Sequence, residues 1–529
     1  MRVPLVLTSG AIVASAYAAT LPTINTTQGY LRGSISNFRS GATVYKGIPY
    51  AAPPVGDLRW KEPQSASSWD GTFNATEFGP QCAQPQGGAG IFSSGKTSIS
   101  EDCLTLNIWT PTYSDVSDLT SKNIPVFVWI FGGRFEGGSG DVKTYDGSGL
   151  ADKDVIVVTL NYRLGAFGFL AHPELSNESG HNSSGNYGLL DQQFALQWVQ
   201  DNIRNFGGNP DQVVVGGQSA GSASALDIMY SNLTQGLVHG VIAESGARYP
   251  KDPMTGGLAT SYRHLSAALS QGEDFLANDL NVSIIADARE ISYEVLIEYG
   301  QLLDTTFDGT VFENLSSAFM NPPRWRPVID GYVLPYGYGE SLRLNAHLDV
   351  PILTGNNKDE SGASPETIST VAEYKAEFSQ VLQNYSSSFF SLWPANNSTA
   401  AGDQMNSFFR DLSRVSTWLW SSAWAAGGAT SNENPSAGAY HGSELCYDNV
   451  TWDAEDYEIE RKMAQYWVNF ISTGNPNGNR SSGLTYFPPS TSDKKQAMWL
   501  GDSWGASYLA ETEGRLQFIV DWLSVLHEW

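Results

Sequence analysis

Asp211-Gln212-Val213-Val214-Val215-Gly216-Gly217-Gln218-Ser219-Ala220-Gly221-Ser222 is the stretch on which the reading of the whole chain turns. Three β-branched valines, Val213 to Val215, suit a short buried strand. Helix-compatible residues run from Ala220 to Tyr230 with no loop residues between. Where a strand passes straight into a helix the turn is sharp, and Ser219 stands at its apex between Gly217 and Gly221. A larger side chain at either glycine would collide with the neighbouring strand or helix. This is the G-x-S-x-G pattern of a nucleophile elbow, which lifts a serine hydroxyl above the edge of a sheet. The same pattern suits a small-residue turn that merely lets a helix pack closely, so the rest of the chain has to distinguish the two.

The chain has 529 residues, 41% of them hydrophobic, and a formal net charge of −25. That balance argues against nucleic acid, whose phosphates need Lys and Arg, and against an anionic membrane surface. It fits a solvated acidic surface on a soluble protein. Met1-Arg2, the small and apolar run Val3 to Tyr17, and Ala16-Tyr17-Ala18 read as a signal peptide over residues 1–18. One domain is expected over 19–529. No later apolar stretch is long enough to span a bilayer, so no transmembrane segment is expected. The tail Leu526-His527-Glu528-Trp529 is neither a retention signal nor a lipidation box.

A secreted, extracellular glycoprotein is therefore expected. Twelve N-x-[ST] sequons agree, at Asn25, Asn74, Asn177, Asn182, Asn232, Asn281, Asn314, Asn384, Asn396, Asn397, Asn449 and Asn479. Of three cysteines, Cys82 and Cys103 form the natural disulfide pair, and Cys446 is left as a buried, inert thiol. No Cys/His cluster has metal-ligand spacing, and no metal or cofactor is expected.

Along the chain, Val44 to Gly56 is dense in Pro and Gly and reads as an ordered loop, while residues 83–102 read as a small, glycine-rich flap or surface loop. Leu104 to Trp109 alternates with period two, and Ile124–Phe131 and Val155–Leu160 are continuous apolar runs of strand length. Helical periodicity covers Leu189 to Phe206 and stops at Gly207-Gly208-Asn209-Pro210. Val241-Ile242-Ala243 and Val350 to Thr354 supply further strands. Strands alternating with helices predict an α/β protein with a large, mostly parallel central sheet. Residues 260–345 and 363–435 read as helical insertions over its C-terminal edge, where pockets form.

A serine hydroxyl needs a general base, and the base an orienting carboxylate. On such sheets the chain order is serine, acid, histidine. Of the histidines after Ser219, His239 lies too close, His347 precedes the acid candidates, and His527 follows a closing helix. His441 sits where a short apolar run ends and a loop begins. Asp359 and Glu360 are adjacent carboxylates just past a strand end, and composition does not choose between them. Backbone N–H donors for a developing oxyanion should come from Ala220 and from the glycine-rich loop Gly132-Gly133-Arg134-Phe135-Glu136-Gly137-Gly138.

Taken together these blocks resemble the type-B carboxylesterase/lipase family of the α/β-hydrolase fold, which includes cholinesterases and secreted fungal lipases. The resemblance is carried by Gly47-Ile48-Pro49-Tyr50-Ala51 with Leu58-Arg59-Trp60, by Glu101-Asp102-Cys103-Leu104, and by Asn161-Tyr162-Arg163-Leu164-Gly165. Gly185 to Gln192 and the closing block from Met463 to Asn477 extend it to nearly the whole chain. It implies Ser219 as nucleophile, His441 as general base and acid, and Glu360 as orienting acid. It implies the N–H groups of Gly133, Arg134 and Ala220 as the oxyanion hole, Ser245 as a support for the histidine, and Asp411 as a second support. The Cys82–Cys103 pair is similar to the one that pins the family's lid loop.

Three residues depart from the family pattern. Gln218 stands where Glu is common and removes a charge beside the nucleophile. Arg134 replaces a glycine and either enters a structural ion pair or narrows the pocket and attracts a carboxylate-bearing substrate. Ser361 follows the acid where Gly is usual. The expected activity is hydrolysis of small-molecule carboxylic esters through an acyl-enzyme, since loop 83–102 is short for an interfacial lid. A lipase, an acyltransferase on the same chemistry, and a silent binding protein are the alternatives.

Overall fold

The computed structural model describes residues 21, 23–85, 92–93, 98–113, 119–258, 260–313, 315, 317–360, 362–364, 367, 369–426, 454–478, 483–501 and 503–529. An eight-stranded sheet runs through it. Its strands are β1 (Ser34–Ile35), β2 (Ala42–Pro49), β3 (Thr105–Pro111), β4 (Ile124–Ile130), β5 (Ile156–Leu160), β6 (Gly208–Gln218), β7 (Gly240–Glu244) and β8 (Ile352–Gly355), in spatial order β8-β7-β6-β4-β5-β3-β2-β1. The five strands from β8 to β5 are parallel neighbours. The three at the other edge pair antiparallel. The sheet is thus mixed, with its parallel half built from the segments that alternate with helices.

The Pro and Gly density of Val44–Gly56 hides a strand, because β2 occupies Ala42–Pro49. Gly47, at φ 63°, shifts the register of β2 against β3 between Tyr45 and Ile48, and its N–H donates to Asn107 Oδ1 at 2.9 Å. A bulge of this kind accepts glycine without ending the strand. The period-two alternation of residues 104–109 also misleads, since every residue from Thr105 to Thr110 is buried.

The helices that frame the site form where expected. α1 spans Tyr187–Asn202, continues as a 3-10 turn to Phe206, and is closed by Gly207 at φ 92°. α2 (Ala220–Tyr230) is buried along its whole length against β6 and β7. Beyond the sheet, α3 (Ser398–Ala426) and α5 (Glu513–Val525) share a second, aromatic-rich core that includes Phe378, Phe389, Trp393, Phe408 and Trp522. α4 (Ala454–Thr473) lies across β6 and β4. The described residues between 300 and 337 are largely irregular rather than helical. The Cys82–Cys103 disulfide is present. No helix of the described residues is long and apolar enough to cross a membrane.

Candidate active site

Ser219 holds φ 58° and ψ −120°, between the last residue of β6 and the first of α2. A non-glycine residue at positive φ is strained and persists where its surroundings fix it. Here the Ser219 N–H donates to the Glu244 carbonyl at 2.9 Å, and the Ser219 carbonyl accepts from the Ala223 N–H at 3.0 Å. The flanking glycines are obligatory by contact. A Cβ on Gly217 would lie 2.4 Å from the Ile130 carbonyl oxygen, and one on Gly221 would lie 2.0 Å from the same atom.

The glycine-rich loop after β4 packs against this turn. A Cβ on Gly132 would meet the Gln218 carbonyl at 2.4 Å and Ser219 Cβ at 3.1 Å. Gly133 (φ 108°), Arg134 (φ 60°) and Phe135 (φ 61°) follow in left-handed conformations. The N–H groups of Gly133 and Arg134 make no hydrogen bond among the described residues. That of Ala220, at the first position of α2, has no helical partner by geometry. The loop and the helix start thus present unspent donors beside Ser219, as a developing oxyanion requires.

The Arg134 side chain enters a structural ion pair and a hydrogen bond to backbone. Its Nε lies 3.4 Å from Glu136 Oε2, and its Nη2 donates to the Asn321 carbonyl at 3.1 Å. Burial pushes the Glu136 carboxyl up, and the guanidinium opposes that shift. Asn321 is itself fixed, accepting from the Phe307 N–H at 2.7 Å and donating to Asp308 Oδ1 at 3.0 Å. Arg134 therefore ties the glycine-rich loop to the irregular segment around residue 321. No motif points to Asn321, because a backbone carbonyl carries no residue signature.

The adjacent carboxylates separate. Glu360, buried past the end of β8, accepts from Ser245 Oγ at 2.6 Å and from the Asn357 N–H at 2.8 Å, both at Oε1. Asp359 faces the other way and pairs with Arg410 at 2.5 Å. Ser245, at φ 57°, follows β7, and its N–H donates to the Gly355 carbonyl at 2.7 Å. Ser245 thus acts on the carboxylate. Asp411 lies on α3 and pairs with Arg414 at 2.6 Å and Arg515 at 3.8 Å. Burial raises its pKa against both guanidinium groups. Gln218 is buried beneath Ser219. His441, Cys446, Ser361 and the sequon residues Asn314, Asn449 and Asn479 lie outside the described residues.

Glu244, on the strand end that receives the Ser219 N–H, was not singled out from the sequence. Its Oε1 accepts from Trp467 Nε1 at 2.8 Å, and burial pushes its carboxyl up to about 7.

The sequence matches the carboxylesterase family over residues 20–417 and 407–513. It is 32% identical to a fumonisin B1 esterase of Sphingopyxis macrogoltabida over 85% of this chain and 82% of the relative. It is 30% identical to carboxylesterase 1D of Mus musculus over 91% of this chain and 90% of the relative. Among solved structures, a thermophilic PNB esterase superposes with a TM-score of 0.73 at 27% identity, covering 94% of this chain and 99% of that one.

Proposed function

The chain belongs to the carboxylesterase family and is a carboxylic ester hydrolase, and on that premise we propose that it is a secreted serine esterase working through Ser219, His441 and Glu360. His441 takes the proton from Ser219 Oγ as that oxygen attacks the ester carbonyl. The N–H groups of Gly133, Arg134 and Ala220 receive the negative charge that forms on the carbonyl oxygen. The tetrahedral species collapses, His441 returns the proton to the departing alkoxide, and an alcohol leaves. Water then attacks the acyl-enzyme with His441 again taking the proton, and the acid is released. Glu360 orients the imidazole and stabilises its charged form.

The observation that carries this reading is the contact geometry at the elbow, where Gly132 lies so close to Ser219 that even a methyl group would fall 3.1 Å from its Cβ. That closeness sets the unspent N–H groups of the loop beside the serine. Ser219→Ala is expected to abolish hydrolysis of p-nitrophenyl acetate and labelling by a fluorophosphonate. Undiminished hydrolysis by that variant would remove Ser219 from the reaction.

Small esters are the proposed substrates. An acyl series from acetyl to palmitoyl should peak at short chains. A peak at long chains, enhanced by an oil interface, would indicate a lipase, and transfer to an added alcohol in place of water would indicate an acyltransferase. Secretion is supported by the signal-like residues 1–18 and by the exposure of all nine sequon asparagines among the described residues. N-terminal sequencing of the mature protein and a mass shift on deglycosylation test it.

A further inference from the structure

The glycine-rich loop after β4 holds three successive residues at positive φ, and two of them, Arg134 and Phe135, are not glycine. Such a run is strained and persists where its neighbours fix it. Part of the restraint is internal. The Gly133 carbonyl accepts from the Glu136 N–H at 3.0 Å and from the Gly137 N–H at 3.2 Å. That carbonyl and the Arg134 N–H belong to one planar trans peptide and point opposite ways. With the carbonyl turned into the loop, the Arg134 N–H is turned out of it. The Gly137 carbonyl also packs on Gly133, where an added Cβ would lie 2.1 Å from its oxygen.

A second restraint comes from outside the loop. Gln84 is buried, two residues past Cys82. Its Oε1 accepts from the Gly138 N–H at 2.8 Å, and its Nε2 donates to the Gly138 carbonyl at 2.8 Å. The same Nε2 donates to the Cys82 carbonyl at 3.0 Å. An acceptor for one N–H and a donor for two carbonyls, on a single planar group, is what an amide side chain supplies. The Gly138 N–H shares its peptide with the Gly137 carbonyl that lies against Gly133. Cys82 is itself anchored, by the disulfide to Cys103 and by strand pairing with Ser100. Gly140, further along, is held separately, its N–H donating to Asn161 Oδ1 at 2.8 Å. Loss of Gln84 therefore frees Gly137 and Gly138 without releasing the whole loop.

We propose that Gln84 is a positioning residue for ester hydrolysis. Through the Gly137–Gly138 peptide it holds the Gly133–Arg134 peptide in the orientation that offers its N–H to the oxyanion. The inference rests on the proposed roles of Ser219 and of that N–H. Gln84 acts through backbone, so its removal should cost less than the loss of an oxyanion donor itself, which is about a hundredfold to a thousandfold in kcat.

The test uses the full chain and two variants. Gln84→Met keeps the length of the side chain and loses its hydrogen bonds. It should lower kcat on p-nitrophenyl acetate about tenfold and leave KM within about twofold. A trifluoromethyl ketone reads oxyanion binding directly. Ser219 Oγ bonds to its carbonyl carbon, the π pair moves onto the carbonyl oxygen as the oxyanion, and the hydroxyl proton passes to His441. Its inhibition constant should rise by about the factor by which kcat falls. Gln84→Glu keeps the acceptor for Gly138 but, when ionised, sets an oxygen against two carbonyls. Protonation restores a donor. Its kcat relative to the wild type at the same pH should therefore rise as pH falls from about 8 to about 6, since burial among carbonyls raises a carboxyl's pKa. A residue that served folding alone would not show this. Unchanged kcat and inhibition constant in Gln84→Met, or a loss confined to KM, overturns the proposal. A ketone that depends on Ser219 but not on Gln84 overturns this inference alone. A ketone that binds Ser219→Ala as tightly as the wild type overturns the assignment of Ser219, and this inference with it. If Gln84→Met does not fold, as judged by circular dichroism, Gln84→Glu carries the test, and a ratio that stays flat with pH overturns the proposal.

Discussion

Ser245 Oγ donates to Glu360 Oε1 at 2.6 Å, joining the end of β7 to the loop after β8. The serine is locked in a left-handed conformation by its own N–H bond to Gly355. Its hydroxyl and the Asn357 N–H together hold the carboxylate at Oε1. Ser245 is a positioning residue for the proposed orienting acid.

Ser245→Ala should lower kcat about tenfold to a hundredfold, the equivalent of one hydrogen bond to a charged group. KM should change little, because the substrate is not touched. Steady-state kinetics and a melting curve check this. A kcat loss that tracked a large fall in Tm would mean that the serine serves folding alone.

The two neighbouring carboxylates should differ sharply on removal. Glu360→Gln is expected to lower kcat by several orders of magnitude, since a neutral amide no longer stabilises the imidazolium. Asp359→Asn removes a partly exposed pair with Arg410 and should cost about 1 kcal/mol of stability or less, with kcat within about twofold. Equal losses in the two variants would contradict the division of roles.

Much of this geometry was legible in the sequence, and what was not has physical causes. The elbow could be read because its constraints are local. Strand, turn and helix run on without a break, and the glycines are forced by backbone contacts within a few residues and one strand away. Helix α2 accordingly begins and ends where the sequence placed it. The choice between Asp359 and Glu360 needed a partner 115 residues away, Ser245, which spacing does not reveal. Strand β2 was hidden because Gly47 bulges it rather than breaking it. The antiparallel edge escaped notice because buried strands look alike in either direction. The fate of Arg134 depended on one carbonyl at Asn321.

Arg134 supplies the next expectation. Its guanidinium is committed to Glu136 and to the Asn321 carbonyl. Arg134→Ala should therefore lower kcat/KM by a similar factor, about tenfold, for a neutral ester and for one with a carboxylate in its acyl part. The loss comes from loosening the glycine-rich loop, whose N–H groups remain. A selective loss on the carboxylate-bearing ester would show that the side chain binds substrate charge.

Stability should fall as pH rises through the range set by Glu244. Its carboxyl has an ordinary value of 4.5 and is pushed up to about 7 by burial, with the Trp467 hydrogen bond opposing. Below pH 4.5 the group is neutral both folded and unfolded, and burial costs nothing extra. Between 4.5 and about 7 the unfolded chain ionises while the folded one resists, so folding loses free energy, in all about 3 kcal/mol. Glu244→Gln keeps an acceptor for Trp467 Nε1 and has no proton to lose. Urea unfolding of both proteins at pH 4.5 and pH 8 isolates the effect, because Asp227, raised to about 8 by burial, contributes equally to each. The wild-type protein should lose about 3 kcal/mol more than the variant over that interval, and parallel losses would mean that Glu244 is solvated in the folded state.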